Sequence, residues 1–177
     1  MELFFVAVAP PPEISAEIST ISKDFAERFE SVKSWKNFPH ITLIPPLRIK
    51  EPDLDMFIKI FRELRLTTPN FEIQLKDFAA FANRKNPVIY IKPLPNEMLT
   101  TLQQEVSTKL KIPTEVFNPH LTVAYRDLSQ LNFEKAWAEY RDKKFSAAFK
   151  IEHVGLYRHI DRKWQLVASA ALSQISE

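Results

Sequence analysis

Two short stretches of this chain carry residue types that can move protons and hold an anion: Pro39-His40-Ile41-Thr42-Leu43 and Pro119-His120-Leu121-Thr122-Val123. Both read Pro-His-(Ile/Leu)-Thr-(Leu/Val), and Asn37-Phe38 precedes one while Phe117-Asn118 precedes the other. On a strand, side chains alternate between faces with a period of two, so His40 shares a face with Thr42, and His120 with Thr122. Ile41, Leu43, Leu121 and Val123 turn the other way, towards a core. An imidazole titrates near neutral pH, so a neutral histidine takes a proton and a protonated one donates it. A threonine hydroxyl donates a hydrogen bond to an anion. Set face to face, the two motifs would form a site for acid–base chemistry on an anion held between them.

The elements around the motifs repeat as well. The two histidines lie 80 positions apart in a chain of 177 residues, close to half its length, which predicts duplication of a half-length unit. Apolar residues at three- and four-residue intervals predict helices over residues 13–31, 53–64, 97–110 and 133–141. An apolar run over 3–8 predicts a buried strand ended by Pro10-Pro11-Pro12. The motif strands are expected over 35–44, stopped by Pro45-Pro46, and over 117–125. Residues 71–75 and 88–91 predict a hairpin joined through a polar turn at 83–86, and strands over 145–157 and 163–172 flank a turn at 158–162. The order helix, motif strand, helix, hairpin thus occurs twice. The expected fold is α+β: one duplicated, bilobal domain over 1–177, with two pseudo-symmetric lobes. Each lobe is an antiparallel sheet flanked by helices, and a central cleft carries the two His-x-Thr motifs.

Paired His-x-Thr motifs, each after a proline and half a chain apart, resemble those of the 2H phosphoesterase superfamily. The length and segment order are most similar to its bacterial branch, the 2′-5′ RNA ligase or LigT-like proteins. The resemblance implies a cleft between two pseudo-symmetric lobes and metal-free hydrolysis of 2′,3′-cyclic phosphates, with some members joining or cleaving 2′-5′ RNA linkages. It implies His40 and His120 as the catalytic pair and Thr42 and Thr122 as contacts to the substrate phosphate. The implied substrate is an RNA end or a small cyclic nucleotide. In many LigT-like proteins an arginine closes the second motif strand where this chain has Tyr125. Arg126 follows one residue later, where a plain strand would turn it away from the cleft. Two other readings stand beside hydrolysis: a non-catalytic module binding RNA ends or nucleotides in the same cleft, and a 2′-5′ RNA ligase.

Composition narrows the alternatives. Net charge is +2, with no basic tail to wrap a polyanion. The chain has no cysteine, which excludes disulfides, thiol catalysis and Cys-zinc sites. Its single glycine, Gly155, excludes Gly-rich phosphate loops and dinucleotide fingerprints, so side chains must do much of any phosphate binding. Two histidines fall short of the three or four protein ligands usual for zinc, and neither motif holds a carboxylate. No metal or other cofactor is expected. His153 reads as structural. His159, in a turn with Arg158, Arg162 and Lys163, reads as a solvated hairpin tip, with a basic lip over an anionic substrate as the other reading. Trp35, Phe81, Tyr90 and Tyr157 read as strand core, with base stacking as the alternative. The N-terminal run lacks the basic region of a signal peptide, and no apolar stretch approaches the roughly 18 residues of a membrane span. A cytoplasmic protein with no membrane segment and no obligate protein partner is expected.

Overall fold

Leu3-Phe4-Phe5-Val6-Ala7-Val8 is apolar on both faces, and such a strand is stable only when both faces are covered. In the computed structural model, which describes residues 1–113 and 116–174, it forms β1 (Glu2–Val8). Phe4, Val6 and Ala7 are fully buried there. The chain continues through α1 (Pro12–Phe29), α2 (Val32–Trp35), β2 (Ile41–Ile49), α3 (Leu54–Arg62), β3 (Phe71–Phe81), β4 (Val88–Pro93) and α4 (Glu97–Lys109). It closes with β5 (Leu121–Ala124), α5 (Gln130–Tyr140), β6 (Ser146–Ile151), β7 (His153–Ile160) and β8 (Lys163–Ala171).

The strands form one sheet in the order β6-β3-β4-β5-β2-β1-β7-β8, and its ladders are antiparallel. The sheet falls into two halves, β5-β4-β3-β6 and β2-β1-β7-β8, joined edge to edge at the motif strands, where Ile41 pairs with Leu121, and the halves exchange the hairpins that the sequence repeat implies: β3–β4 lies beside the second motif strand β5, and β7–β8 shares the half of the first, β2. The helices lock the halves crosswise. Helix α1, from the first half, packs on the second motif strand β5, and α4, from the second, packs on the first motif strand β2. Ile18, Phe25 and Phe29 of α1, and Leu99, Leu102 and Val106 of α4, bury the stripes that helical periodicity predicts.

Several boundaries differ from expectation. The motif strands begin at Ile41 and Leu121, not at 35 and 117, and Trp35, expected as strand core, ends the short helix α2 instead. Pro45-Pro46 does not stop β2, which runs on to Ile49. Both prolines are exposed, and the β1 register shifts between Phe4 and Ala7, the irregular kind of pairing that tolerates residues without an N–H. The expected strand over 145–157 is broken at Glu152, because β6 pairs with β3 in one half while β7 pairs with β1 in the other. Strand β3 reaches Phe81 by bulging at Asp77, whose φ is 56° and whose carboxylate accepts from the Phe145 N–H at 3.1 Å. Among the described residues, no helix is long and apolar enough to cross a membrane.

Candidate functional site

Each motif histidine sits one residue before its strand and makes the same local bond. Nδ1 of His40 lies 2.7 Å from the Phe38 carbonyl, and Nδ1 of His120 lies 2.7 Å from the Asn118 carbonyl. A carbonyl oxygen can only accept, so each Nδ1 carries the proton. That fixes the tautomer and leaves Nε2 of both rings for whatever enters the cleft. Pairing Ile41 with Leu121 in an antiparallel register sets His40 opposite Thr122, and Thr42 opposite His120. Side chains directly opposed on such a pair stand roughly 4.5–5.5 Å apart at Cβ. The four polar side chains thus form a quadrilateral on one face of the sheet, with Ile41, Leu43, Leu121 and Val123 buried on the other.

A cavity of about 390 Å³ opens over this quadrilateral and is lined by His40, Thr42, His120 and Thr122. The structure therefore brings together all four residues singled out by the motifs. Phe38 and Phe5 back His40 with ring centroids at 4.8 and 4.9 Å, and Tyr157 stacks on both of them. This aromatic wall pushes the His40 imidazole below its ordinary value, chiefly by burial and further by the nearby His120. The Phe38 carbonyl opposes the shift. The His120 ring is flanked instead by Phe81 at 5.2 Å and Tyr90 at 5.5 Å. These two residues, expected as strand core, pack against the second motif.

Arg126 lines the same cavity, which corrects the expectation from plain strand alternation. Strand β5 ends at Ala124, and Arg126 adopts a left-handed φ of 63°, which cancels the face change that its position would impose. Its guanidinium lies 5.3 Å from the Tyr125 ring centroid. The next residue anchors the turn. The Asp127 carboxylate accepts from Ser31 Oγ at 3.1 Å, Val32 N–H at 3.0 Å and Lys33 N–H at 2.9 Å, tying the end of the second motif to the start of α2. From α2, Ser34 reaches the cavity, and its buried Oγ has no partner among the described residues.

Of the basic turn, His159 lines the cavity, while Arg158 turns to Glu2 at 3.3 Å. His153 is exposed on β7, opposite Ala171. Trp35 is exposed at the end of α2. Sequence reasoning missed Trp164, which lines the cavity, packs edge-on to Phe5 at 4.5 Å and stands opposite His159 across β7–β8. The tight turn at 161–162 was the available signal, since it fixes that register. Among the described residues, no group of three or more His, Asp or Glu side chains is arranged to hold a metal ion.

Comparison with known proteins gives consistent results. The model of the 2′-5′ RNA ligase superfamily matches residues 10–163. A Bacillus licheniformis protein named "Putative phosphoesterase" is 31% identical over 90 residues, which are 50% of this chain and 53% of that one. The matched stretch thus spans about half of that relative. A Staphylococcus aureus protein of the same name is 24% identical over 172 residues, covering 95% of this chain and 98% of the other. Among solved structures, E. coli LigT complexed with 3′-AMP superposes with a TM-score of 0.65 at 16% identity, covering 98% of this chain and 99% of that one. A Thermus thermophilus protein gives 0.67 at 20% identity, covering 99% and 100%. These structural likenesses speak for the fold.

Proposed function

This chain belongs to the 2′-5′ RNA ligase superfamily, and from that premise we propose that it is a phosphodiesterase hydrolysing 2′,3′-cyclic phosphates of RNA ends or small nucleotides by two-histidine acid–base catalysis, without a metal ion. The observation that carries this reading is the single cavity lined by His40, Thr42, His120 and Thr122. His40, held below the ordinary imidazole range, is neutral at pH 7 and acts as the base. Its Nε2 takes a proton from water as the water oxygen attacks phosphorus. The bond from phosphorus to one ribose oxygen breaks, and His120, protonated at Nε2, returns a proton to that oxygen. Thr42 and Thr122 donate hydrogen bonds to the non-bridging oxygens as negative charge builds on them. Arg126, at the cavity wall, adds a fixed positive charge to the same group.

The complex of E. coli LigT with 3′-AMP supports a nucleotide phosphate as the class of ligand. The matched motifs and the crosswise packing of α1 and α4 support reading the chain as one duplicated domain. The test is hydrolysis of a 2′,3′-cyclic nucleotide in EDTA by wild type, His40→Ala and His120→Ala. Each variant is expected to lose on the order of 10²–10⁴-fold in rate, as lost acid–base catalysis does. Near-normal turnover by either variant, or loss of wild-type activity in EDTA, would refute the mechanism. Nucleotide binding with no turnover by wild type would favour the non-catalytic reading of the same cleft.

A further inference from the structure

Ser34 lies on the short helix α2, six positions before His40. A hydroxyl on a helix ordinarily bonds back to a carbonyl one turn earlier, as Thr20 does here to Ala16 at 3.1 Å. Ser34 does not. It is 7% exposed, and its Oγ has no hydrogen-bond partner among the described residues. Buried polar atoms in folded proteins are nearly all paired, so an orphan marks a place where something else completes the arrangement. The described residues hold one other such atom, Asn70 Oδ1. Of the two residues, Ser34 is the one that lines the two-histidine cavity.

Its place in that cavity is set by the end of the second motif. Asp127 accepts from the N–H groups of Val32 and Lys33 at 3.0 and 2.9 Å, and α2 packs on β5. Ser34 follows Lys33 in the chain and Arg126 precedes Asp127, so one carboxylate holds both at the same end of the cavity they line. The two differ in kind. Arg126 is exposed and brings charge, whereas Ser34 brings an uncharged hydroxyl already stripped of water. A donor buried in advance loses no further hydration when a ligand arrives, so its new hydrogen bond counts nearly in full. Turning about the Cα–Cβ bond between staggered wells brings Oγ onto a ligand oxygen in the cavity. A serine hydroxyl has one hydrogen to donate, and phosphate oxygens are the acceptors that gather charge there in the proposed reaction.

We propose that Ser34 is a third hydroxyl contact to the reacting phosphate, beside Thr42 and Thr122, with its Oγ donating to the non-bridging oxygen on the Arg126 side. The proposal rests on the phosphodiesterase reading and adds to it a catalytic residue that lies outside the His-x-Thr repeat. No proton leaves Ser34 and no bond forms to it: His40 remains the base, and the serine acts by hydrogen bonding alone as negative charge builds on the oxygen. The empty protein carries this hydroxyl unpaired at a cost in stability, and the substrate supplies the missing partner. Removing it should therefore move stability and activity in opposite directions. A serine that only supports the fold would lose both together.

The test measures Tm, and the pH dependence of hydrolysis of adenosine 2′,3′-cyclic phosphate, for wild type and Ser34→Ala. Tm of the variant should stand at or above that of wild type, with a rise of up to about 2–4 °C for a chain of this size. Its kcat should fall on the order of 10²-fold, as loss of one donor to a developing oxyanion does. The midpoint of the acid limb should not move, because the wall behind His40 is untouched. Turnover equal to that of wild type, a lower Tm or a shifted midpoint overturns the contact and leaves the phosphodiesterase reading standing. If wild type does not hydrolyse the ester, that reading fails instead. Calorimetric titration of 3′-AMP into both proteins then decides Ser34 alone. Binding weaker in Ser34→Ala by about tenfold or more supports the contact, as loss of a hydrogen bond to a charged group does. Equal binding, or none to wild type, overturns it.

Discussion

Replacing Asp127 by Ala tests whether the end of the second motif is aimed by its anchor on α2. The substitution removes three hydrogen bonds, from Ser31 Oγ, Val32 N–H and Lys33 N–H. Ser31 is 0% exposed, so its hydroxyl is left buried without a partner, which costs about 1–3 kcal/mol. The two N–H groups belong to the first turn of α2 and lie nearer the surface, so losing their acceptor costs roughly 0.5–2 kcal/mol, the range for a lost helix cap. The sum is about 3 kcal/mol. For a chain of this size each kcal/mol moves Tm by roughly 2–4 °C, which predicts a fall of about 6–12 °C. Denaturant and thermal unfolding of Asp127→Ala beside Asp127→Asn would measure it. The asparagine can still accept from the N–H groups and donate to Ser31, and should recover about half the loss, as neutral hydrogen bonds are about half as strong as charge-assisted ones. The same variant frees the turn holding Arg126 at its φ of 63°, so KM for the cyclic phosphate should rise more in Asp127→Ala than in Asp127→Asn. Stability within about 0.5 kcal/mol of wild type, the scatter of ordinary surface changes, would refute the anchoring. So would an asparagine variant no better than alanine.

Two further predictions follow from the wall behind His40. Burial lowers its imidazole below the ordinary 6.5, so the neutral base persists to lower pH. The acid limb of kcat/KM should therefore have its midpoint below 6.5, and a midpoint above 6.5 would remove His40 from the role of base. Linkage has the same direction: the unfolded chain takes up this proton first, so stability present above 6.5 is lost as pH falls towards the lowered folded value. Gly155 is the remaining point of pressure. A Cβ there would stand 2.6 Å from Tyr157 Cε2 and 2.9 Å from Leu166 Cδ1, displacing the ring that stacks on Phe38 at 4.5 Å. Gly155→Ala should cost about 1–3 kcal/mol in urea unfolding, as overpacking does, and should raise the midpoint of the acid limb. No change in either measurement would mean the wall does not tune His40.

Much of the protein was legible in its sequence because the signals were local. Helical periodicity located α1 and α4, alternation put Ile41, Leu43, Leu121 and Val123 in the core, and the repeated Pro-His-x-Thr marked four residues that line the cavity. The resemblance carried by those motifs named the superfamily that the chain proves to belong to. What tertiary structure alone decided was set by pairing across the chain. The join of two half-sheets at Ile41 and Leu121, the break at Glu152 where consecutive strands enter different halves, and the packing of α1 and α4 on each other's motif strands all depend on long-range contacts. Arg126 shows the reason most sharply. Alternation along a strand turns it away, but one left-handed residue, held by a carboxylate bonded to a helix 95 positions earlier in the chain, turns it back. A strand pattern is written residue by residue, whereas the place where a strand stops is decided by what it meets.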